Sequence, residues 1–497
     1  RPRREPPGHQ RRLGILAAMM SSPPSSLPSL PSSPSPTRYP RILIIGGGYV
    51  GMYTALRLQC KLRAGEARVT VVDPQSYMTY QPFLPEAAAG NLEPRHVVVP
   101  LRRVLPKVEI LNGTVLSVDH AGRRARFQPL DGPPTDLPYD ILVMAPGSVA
   151  RTLPIPGLAE RGIGFKTVGE AIYLRNHVLS KLDIAASTSD LALRRRALTF
   201  LFIGGGYAGI EALAELEDMA RDALRYYPSL APLDMRWVLV EAAGRILPEV
   251  SPDMGVYTVE QLRARGIEVH LNTRVTSLAG SSVELDSGET FEAETVVWTA
   301  GVRPNPLLAH TDLPLDERTR VRTTANLTVD GVPDAWAAGD CAAVPDLTKG
   351  PDALCGPSAQ HAVRQARRLA DNLLAELRGQ PLTPYAHSYA GSVASLGLHK
   401  GVAQVYGVKL KGLPAWFMHR TYHLSRVPTL NRKARVVADW TLALFFKREV
   451  VSLGSLQNPR RDFQLAADPA APLELPRTDP QLPLPPAPVP TPSAHAG

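Results

Sequence analysis

Two stretches of the chain carry the same arrangement of apolar and small residues. In the first, the apolar run Ile42–Ile45 leads into Gly46-Gly-Gly48-Tyr-Val-Gly51 and then a helical alternation over Met52–Leu58. In the second, Leu198-Thr-Phe-Leu-Phe-Ile203 leads into Gly204-Gly-Gly206-Tyr-Ala-Gly209 and a helix over Ile210–Met219. Short unbroken apolar runs closed by glycine predict strands buried on both faces. Further buried strands read at Val69–Asp73, Tyr139–Ala145, Trp237–Glu241, Thr295–Trp298 and Ala335–Ala338, with shorter apolar runs at Val97–Leu101 and Val108–Val118. Tyr80–Glu86 reads as a proline-interrupted loop and Val149–Pro156 as a crossover linker. Ser358–Leu377 is the clearest helix: Ala362, Val363, Ala366, Leu369, Ala370, Leu373, Leu374 and Leu377 form one apolar stripe opposite arginines, with Ser358 as cap.

Strand, Gly-x-Gly-x-x-Gly and helix in this order form a dinucleotide cradle. Gly46 and Gly204 make the tight turn. Gly48 and Gly206 let a pyrophosphate approach the backbone, and Gly51 and Gly209 let helix and strand pack closely. The helix N-terminus offers free N–H groups to the phosphates. Each cradle is followed by a strand ending in an acid, Asp73 and Glu241, placed to accept from an adenosine ribose; an acid that merely caps a loop is the plainer alternative. Glu241 also repels a 2′-phosphate, which favours NADH over NADPH, although Arg245 stands nearby. The small-residue turns Ala145-Pro146-Gly147 and Ala300-Gly301 are places where a cofactor can pass close to the backbone. Two complete cradles imply that something passes between two bound dinucleotides.

The 497-residue length fits several domains, and 44% hydrophobic with 20% charged residues describes a globular core. The 49 prolines concentrate at the ends. Residues 1–38 and the Pro-rich tail 461–497 read as disordered. Gln10–Met20 loosely resembles a basic and apolar leader but lacks a small-residue cleavage site, and the first residue is Arg rather than Met. The three cysteines, Cys60, Cys341 and Cys355, include no CxxC pair, so neither a disulfide framework nor a metal site is implied.

Net charge is +9 and unevenly spread: residues 391–448 hold ten Lys or Arg against the single acid Asp439. Trp416, Phe417, Tyr422, Trp440, Phe445 and Phe446 are interleaved with them, and no run is long enough to span a bilayer. That pattern suits an anionic membrane surface. The alternatives are a solvated basic face over a packed core, or a homodimer contact. No nucleic-acid motif accompanies the charge.

The two cradles, the returning Ala335-Trp-Ala-Ala-Gly339-Asp340 and the small-residue turns resemble the two-dinucleotide flavoprotein reductases over about residues 40–395. Within that superfamily the chain is similar to the type II NADH dehydrogenases, single-chain NADH:quinone oxidoreductases. Tyr80-Gln-Pro-Phe-Leu-Pro-Glu86, Gly209-Ile-Glu-Ala-Leu-Ala-Glu-Leu216, Ala359-Gln360-His-Ala362 and Ser395-Leu-Gly-Leu-His-Lys400-Gly carry that likeness. The resemblance implies an α/β fold of two Rossmann-like domains, for FAD and NADH, plus a basic amphipathic C-terminal segment. The expected divisions are an FAD domain at 39–157 and 321–395, an NADH domain at 158–320, and a membrane- and quinone-side segment at 396–460.

By the same resemblance Asp340 binds the flavin ribityl chain, and the helix opening at Ser358 points its N-terminus at the flavin. Gln81, Val115, Gly339 and Ala359 complete the candidate cofactor-binding set. Gln360 lies beside the flavin ring, with Arg364 on the same helix face or simply in solvent. The family motif Ala-Gln-x-Ala-x-Gln reads Ala359-Gln-His-Ala-Val-Arg364 here, with Gln365 one step on. Glu211 and Lys400 match positions on the quinone side. Glu211 could instead orient the nicotinamide or cap its helix, and Lys400 could be one more lipid-facing charge. Tyr49 and Tyr207 pack rather than react.

The expected activity is two-electron transfer from NADH through FAD to a membrane quinone, menaquinone or ubiquinone, at the cytoplasmic face of the cell membrane and without proton pumping. The rivals are a soluble NAD(P)H-dependent flavoprotein reductase and a non-enzymatic NADH sensor. Disulfide reductases and sulfide:quinone reductases need cysteines beside the flavin, and residues 61–340 have none.

Overall fold

The computed structural model describes residues 39–350, 352–387, 391–446 and 448–453. The segments 1–38 and 454–497, with the readings made on them, lie outside that range. Two parallel sheets dominate. The first has seven strands in the order Ala335–Ala337, Ile141–Met144, Arg41–Ile45, Arg68–Asp73, Glu109–Asp119, Arg124–Pro129 and Thr135–Pro138. Its first five strands run parallel and the last two fold back as an antiparallel meander. The second has five strands, all parallel: Gly162–Ile163, Thr295–Trp298, Thr199–Ile203, Arg236–Val240 and Glu268–His270.

The apolar runs are covered on both faces, as parallel strands require. Ile42–Ile45 and Thr199–Ile203 are buried throughout. The helix Tyr49–Lys61 packs against Ala359–Leu377, where Arg57 pairs with Asp371 at 2.7 Å and the Thr54 hydroxyl donates to the Ala366 carbonyl. Ser358 caps the long helix by accepting from the His361 N–H, and the stripe faces the core. His361, Gln365 and Asn372 are buried with it, which the apolar alternation did not indicate.

Two local expectations are corrected, and the C-terminal segment gains a defined architecture. Tyr80–Glu86 is not a loop. It forms a 3-10 turn, Gln81–Phe83, running into the helix Leu84–Ala88, because each proline falls in a first turn, where no N–H is needed. The supposed linker contains the strand Ser148–Ala150, paired antiparallel with Val302–Pro304. Residues 391–446 fold as a three-stranded antiparallel sheet, Gly391–Ser395, Gly401–Val405 and Val408–Lys411, followed by helices Gly412–Arg426 and Leu430–Phe445. Trp416 is buried and Trp440 packs inward, leaving Phe417, Phe445 and Phe446 exposed.

Candidate active site

The two cradles are built alike. Gly46 and Gly204 sit at φ of +103° and +114°, where a side chain would be strained and would overlap the main chain at Ala145 and at Thr299. A Cβ on Gly51 or Gly209 would collide with the carbonyl oxygen of the first glycine of its own turn. Gly48 and Gly206 have nothing within 4 Å of a Cβ position, and neither following helix has a side-chain cap. Free N–H groups at an open, uncapped helix start fit the pyrophosphate of a dinucleotide.

The acids close each turn. Asp73 accepts from the Gly47 N–H at 2.6 Å and the Gln75 N–H at 2.7 Å; Glu241 accepts from Gly205 at 2.6 Å and Ala243 at 2.7 Å. Burial raises the Asp73 pKa, against the two N–H groups that favour its charge. Arg245 turns from the second cradle to the carbonyls of Leu247 and Val250. A 2′-phosphate would therefore meet Glu241 with that guanidinium already engaged.

Beyond the strand exits lies a cleft of about 510 Å³ bordered by Ser148, Arg151, Gly339, Asp340, Cys355 and Pro357. Pro146 and Gly147 lie at one strand exit and Ala300 and Gly301 at the other, where Gly301 accepts from the Arg151 N–H. Asp340 Oδ2 accepts from the Ser148 hydroxyl at 2.6 Å, and the Lys166 ammonium donates to that hydroxyl at 2.7 Å. Burial lowers the Lys166 pKa while Asp340 and Glu170 oppose the shift. Sequence reasoning missed Lys166 and Ser148. The one available signal was the capping pair Thr167 and Glu170, which fixes the helix start just after Lys166.

Gln360 donates from its amide to the Gly391 carbonyl at 2.7 Å, while its buried Oε1 accepts no hydrogen bond among the described residues. That orphaned acceptor at the start of the long helix fits a donor on a flavin ring. Ala359 is the first residue of that helix, and Arg364 donates to the Gln360 carbonyl. Gln365, next to the substituted motif position, is buried and accepts from the Gly339 N–H at 2.8 Å. Gln81 reaches the Lys166 carbonyl at 3.3 Å, and Val115 is buried in the first sheet. Lys400 is half-buried in the turn between the first two strands of the C-terminal sheet.

Glu211 does not cap its own helix. It is buried, accepts from the Ser395 N–H at 2.9 Å and faces His419 Nε2 at 3.1 Å. One turn on, Glu215 accepts from the Ser395 hydroxyl and from Asn91. Burial, with Glu86 and Asp218 adding to it, pushes Glu215 up to about 7. Burial opposes charging of His419, yet Glu211 together with Glu86 and Glu215 raises its pKa. Glu86 itself holds Arg420 at 2.9 Å and the Trp440 indole N–H at 2.7 Å. This network ties the second cradle's helix to the C-terminal segment. Only Glu211 was singled out from sequence, because its partners lie some two hundred residues away.

The sequence profile of the pyridine nucleotide-disulphide oxidoreductases matches residues 40–366. A type II NADH:quinone oxidoreductase of Staphylococcus saprophyticus is 30% identical over 385 residues, covering 76% of this chain and 93% of that protein. The type II NADH:quinone oxidoreductase Ndh of Mycobacterium tuberculosis is 28% identical over 433 residues, covering 84% and 90%. Among solved structures, NDH2 of Plasmodium falciparum in complex with NADH superposes with a TM-score of 0.77 at 18% identity, covering 83% of this chain and all of that one. With the cradles duplicated in fold as well as in sequence, the chain belongs to the pyridine nucleotide-disulphide oxidoreductase family and, within it, to the type II NADH:quinone oxidoreductases.

Proposed function

We propose that this chain is an FAD-dependent NADH dehydrogenase that passes two electrons from NADH to a membrane quinone without pumping protons. The observation that carries the reading is the pair of open, glycine-floored cradles, joined by the strand pair Ser148–Ala150 and Val302–Pro304. When bound, FAD supplies a two-electron carrier able to take a hydride and to reduce a second substrate. The first cradle, Asp73 and Asp340 would hold it, with Gln360 at the ring. The second cradle and Glu241 hold NADH and disfavour its 2′-phosphorylated form. Hydride transfer asks for alignment and water exclusion, which the protein main chain provides. Lys166 orders the Asp340 side of the cleft through Ser148.

The C-terminal helices supply the acceptor side and rest on an anionic membrane. Among the described residues no helix is long and apolar enough to cross a membrane. Leu413, Phe417, Leu430, Leu444, Phe445 and Phe446 are nonetheless exposed beside Lys and Arg. That surface supports peripheral binding, which we place at the cytoplasmic face; pairing of two copies through it is the competing reading. Anaerobic stopped-flow mixing tests the function. NADH should bleach the flavin in the purified protein, and a menaquinone or ubiquinone analogue should restore its colour in a catalytically competent time. Flavin that bleaches but is reoxidised by neither quinone would overturn the acceptor assignment. Co-sedimentation with anionic but not neutral vesicles tests the surface.

A further inference from the structure

Behind the cleft wall, Asp346, Cys355 and His361 come together, all buried, with one ligand-type atom from each lying within 4.8 Å of the others. The three come from different stretches: a loop after the strand Ala335–Ala337, the approach to the long helix, and that helix's first turn. His361 is set by its surroundings: Nδ1 lies 2.8 Å from the Tyr385 hydroxyl, and the other ring nitrogen is the one available to a cation. Such an outer hydrogen bond is how ligating imidazoles are oriented. Asp346 is 3% exposed; its Oδ1 accepts from Thr348, and its Oδ2 is paired with the Lys349 ammonium at 3.1 Å. The Lys349 side chain is 60% exposed, so a cation entering the cluster would displace an ammonium that already reaches solvent. His387 stands outside the cluster, its ring 6.1 Å from His361 and its buried Nε2 without a hydrogen bond among the described residues.

We propose that Asp346, Cys355 and His361 bind one zinc-class divalent cation, with water in the fourth position. One sulfur, one imidazole nitrogen and a carboxylate, completed by water, are a donor set for tetrahedral zinc. Two anionic ligands balance the charge of the ion. A second cluster, Glu268, His270 and Glu289, makes the contrast: it is only half-buried, and Arg236 already holds both carboxylates at 2.7 and 2.9 Å. The ion would fasten the 346–355 loop to the start of the long helix, immediately behind Cys355 in the cleft wall. The proposal does not depend on which electron acceptor is used.

The test uses the full-length, flavin-loaded protein, exposed to Zn²⁺ and then dialysed against a weak chelator. One zinc should remain per chain, and X-ray absorption should show one sulfur at about 2.3 Å with nitrogen and oxygen at about 2.0–2.1 Å. Cys355→Ala and His361→Ala should abolish retention, Cys60→Ala should leave it intact, and Tyr385→Phe should weaken it by roughly 10- to 100-fold. Failure of the wild type to retain zinc, or a shell without sulfur, would overturn the site. So would loss of binding in Cys60→Ala. Where the Cys355 or His361 variants fail to fold, the zinc shell of Cys60→Ala still decides.

Discussion

The helices that leave the two cradles begin alike and then diverge. Tyr49–Lys61 carries no acid, and its exposed basic end grips Asp371 of the long helix. Tyr207–Ala223 carries Glu211, Glu215, Glu217, Asp218 and Asp222, the first three buried. Glu217 is fully enclosed between Arg221 and Arg265, and Arg265 continues to Asp218 and the Leu396 carbonyl. The front of each helix opens on its glycine turn under the same backbone rules. The back of the first packs on the long helix and touches the C-terminal helices through Tyr53, whereas the back of the second receives the C-terminal sheet. The lesson is that a duplicated cradle constrains the first turn of its helix and leaves the rest free to acquire a different neighbour.

The strongest challenge to the equivalence of the fronts is Gly51→Ala beside Gly209→Ala. Both insert a methyl group into a carbonyl oxygen, and each should cost about 3 kcal/mol or more. Thermal midpoint and retained flavin are the readouts, and tolerance at one site alone would break the parallel. Next comes Glu217→Ala, which leaves the nearly buried Arg265 with Asp218 as its remaining carboxylate and should lower stability by about 2 kcal/mol in denaturant titration. No substitution in the first helix should match it by the same route.

Glu215→Gln separates the two backs by pH. A buried acid whose folded pKa is raised to about 7 keeps full stability below its unfolded value. It loses stability as pH climbs through that window, and the loss levels off above about 7. The neutral amide should remove this loss, given a flip of Asn91, and leave the variant about 1–2 kcal/mol more stable than wild type above neutrality. Parallel melting curves at acid and alkaline pH check it; an unchanged difference would remove Glu215 as the titrating group. The smallest effect concerns the acids of the turns. Glu241→Ala should raise the NADH Michaelis constant about tenfold, near 1.4 kcal/mol, and admit NADPH. Asp73→Ala should leave nucleotide preference alone and weaken flavin retention.

The cradles were legible because their signals are local. Four or five apolar residues, spaced glycines and a strand-ending acid act through the backbone over short spans, the turn and its acid lying 26 positions apart in the first cradle and 36 in the second. The long helix and its Ser358 cap were legible for the same reason. What was hidden depends on distant partners. Lys166 acquires meaning only beside Ser148 and Asp340, and Glu86 only beside Arg420 and Trp440. The basic, aromatic composition of 391–448 suggested one surface, but two of its large aromatics turn inward and a small sheet precedes the helices. Composition reports charge and hydrophobicity without saying which side of a helix will be covered. The Asp346, Cys355 and His361 cluster was equally invisible, its residues being unremarkable at that spacing.

The ribbon formed by Ser148–Ala150 and Val302–Pro304 begins one residue after each strand-exit glycine, Gly147 and Gly301. The chain is thus riveted at the two points where it quits its sheets. Drift of one half against the other would have to rupture amide–carbonyl pairs between the two strand exits. On the proposed reading, the spacing between the two cofactors would then be set by peptide geometry rather than by side chains.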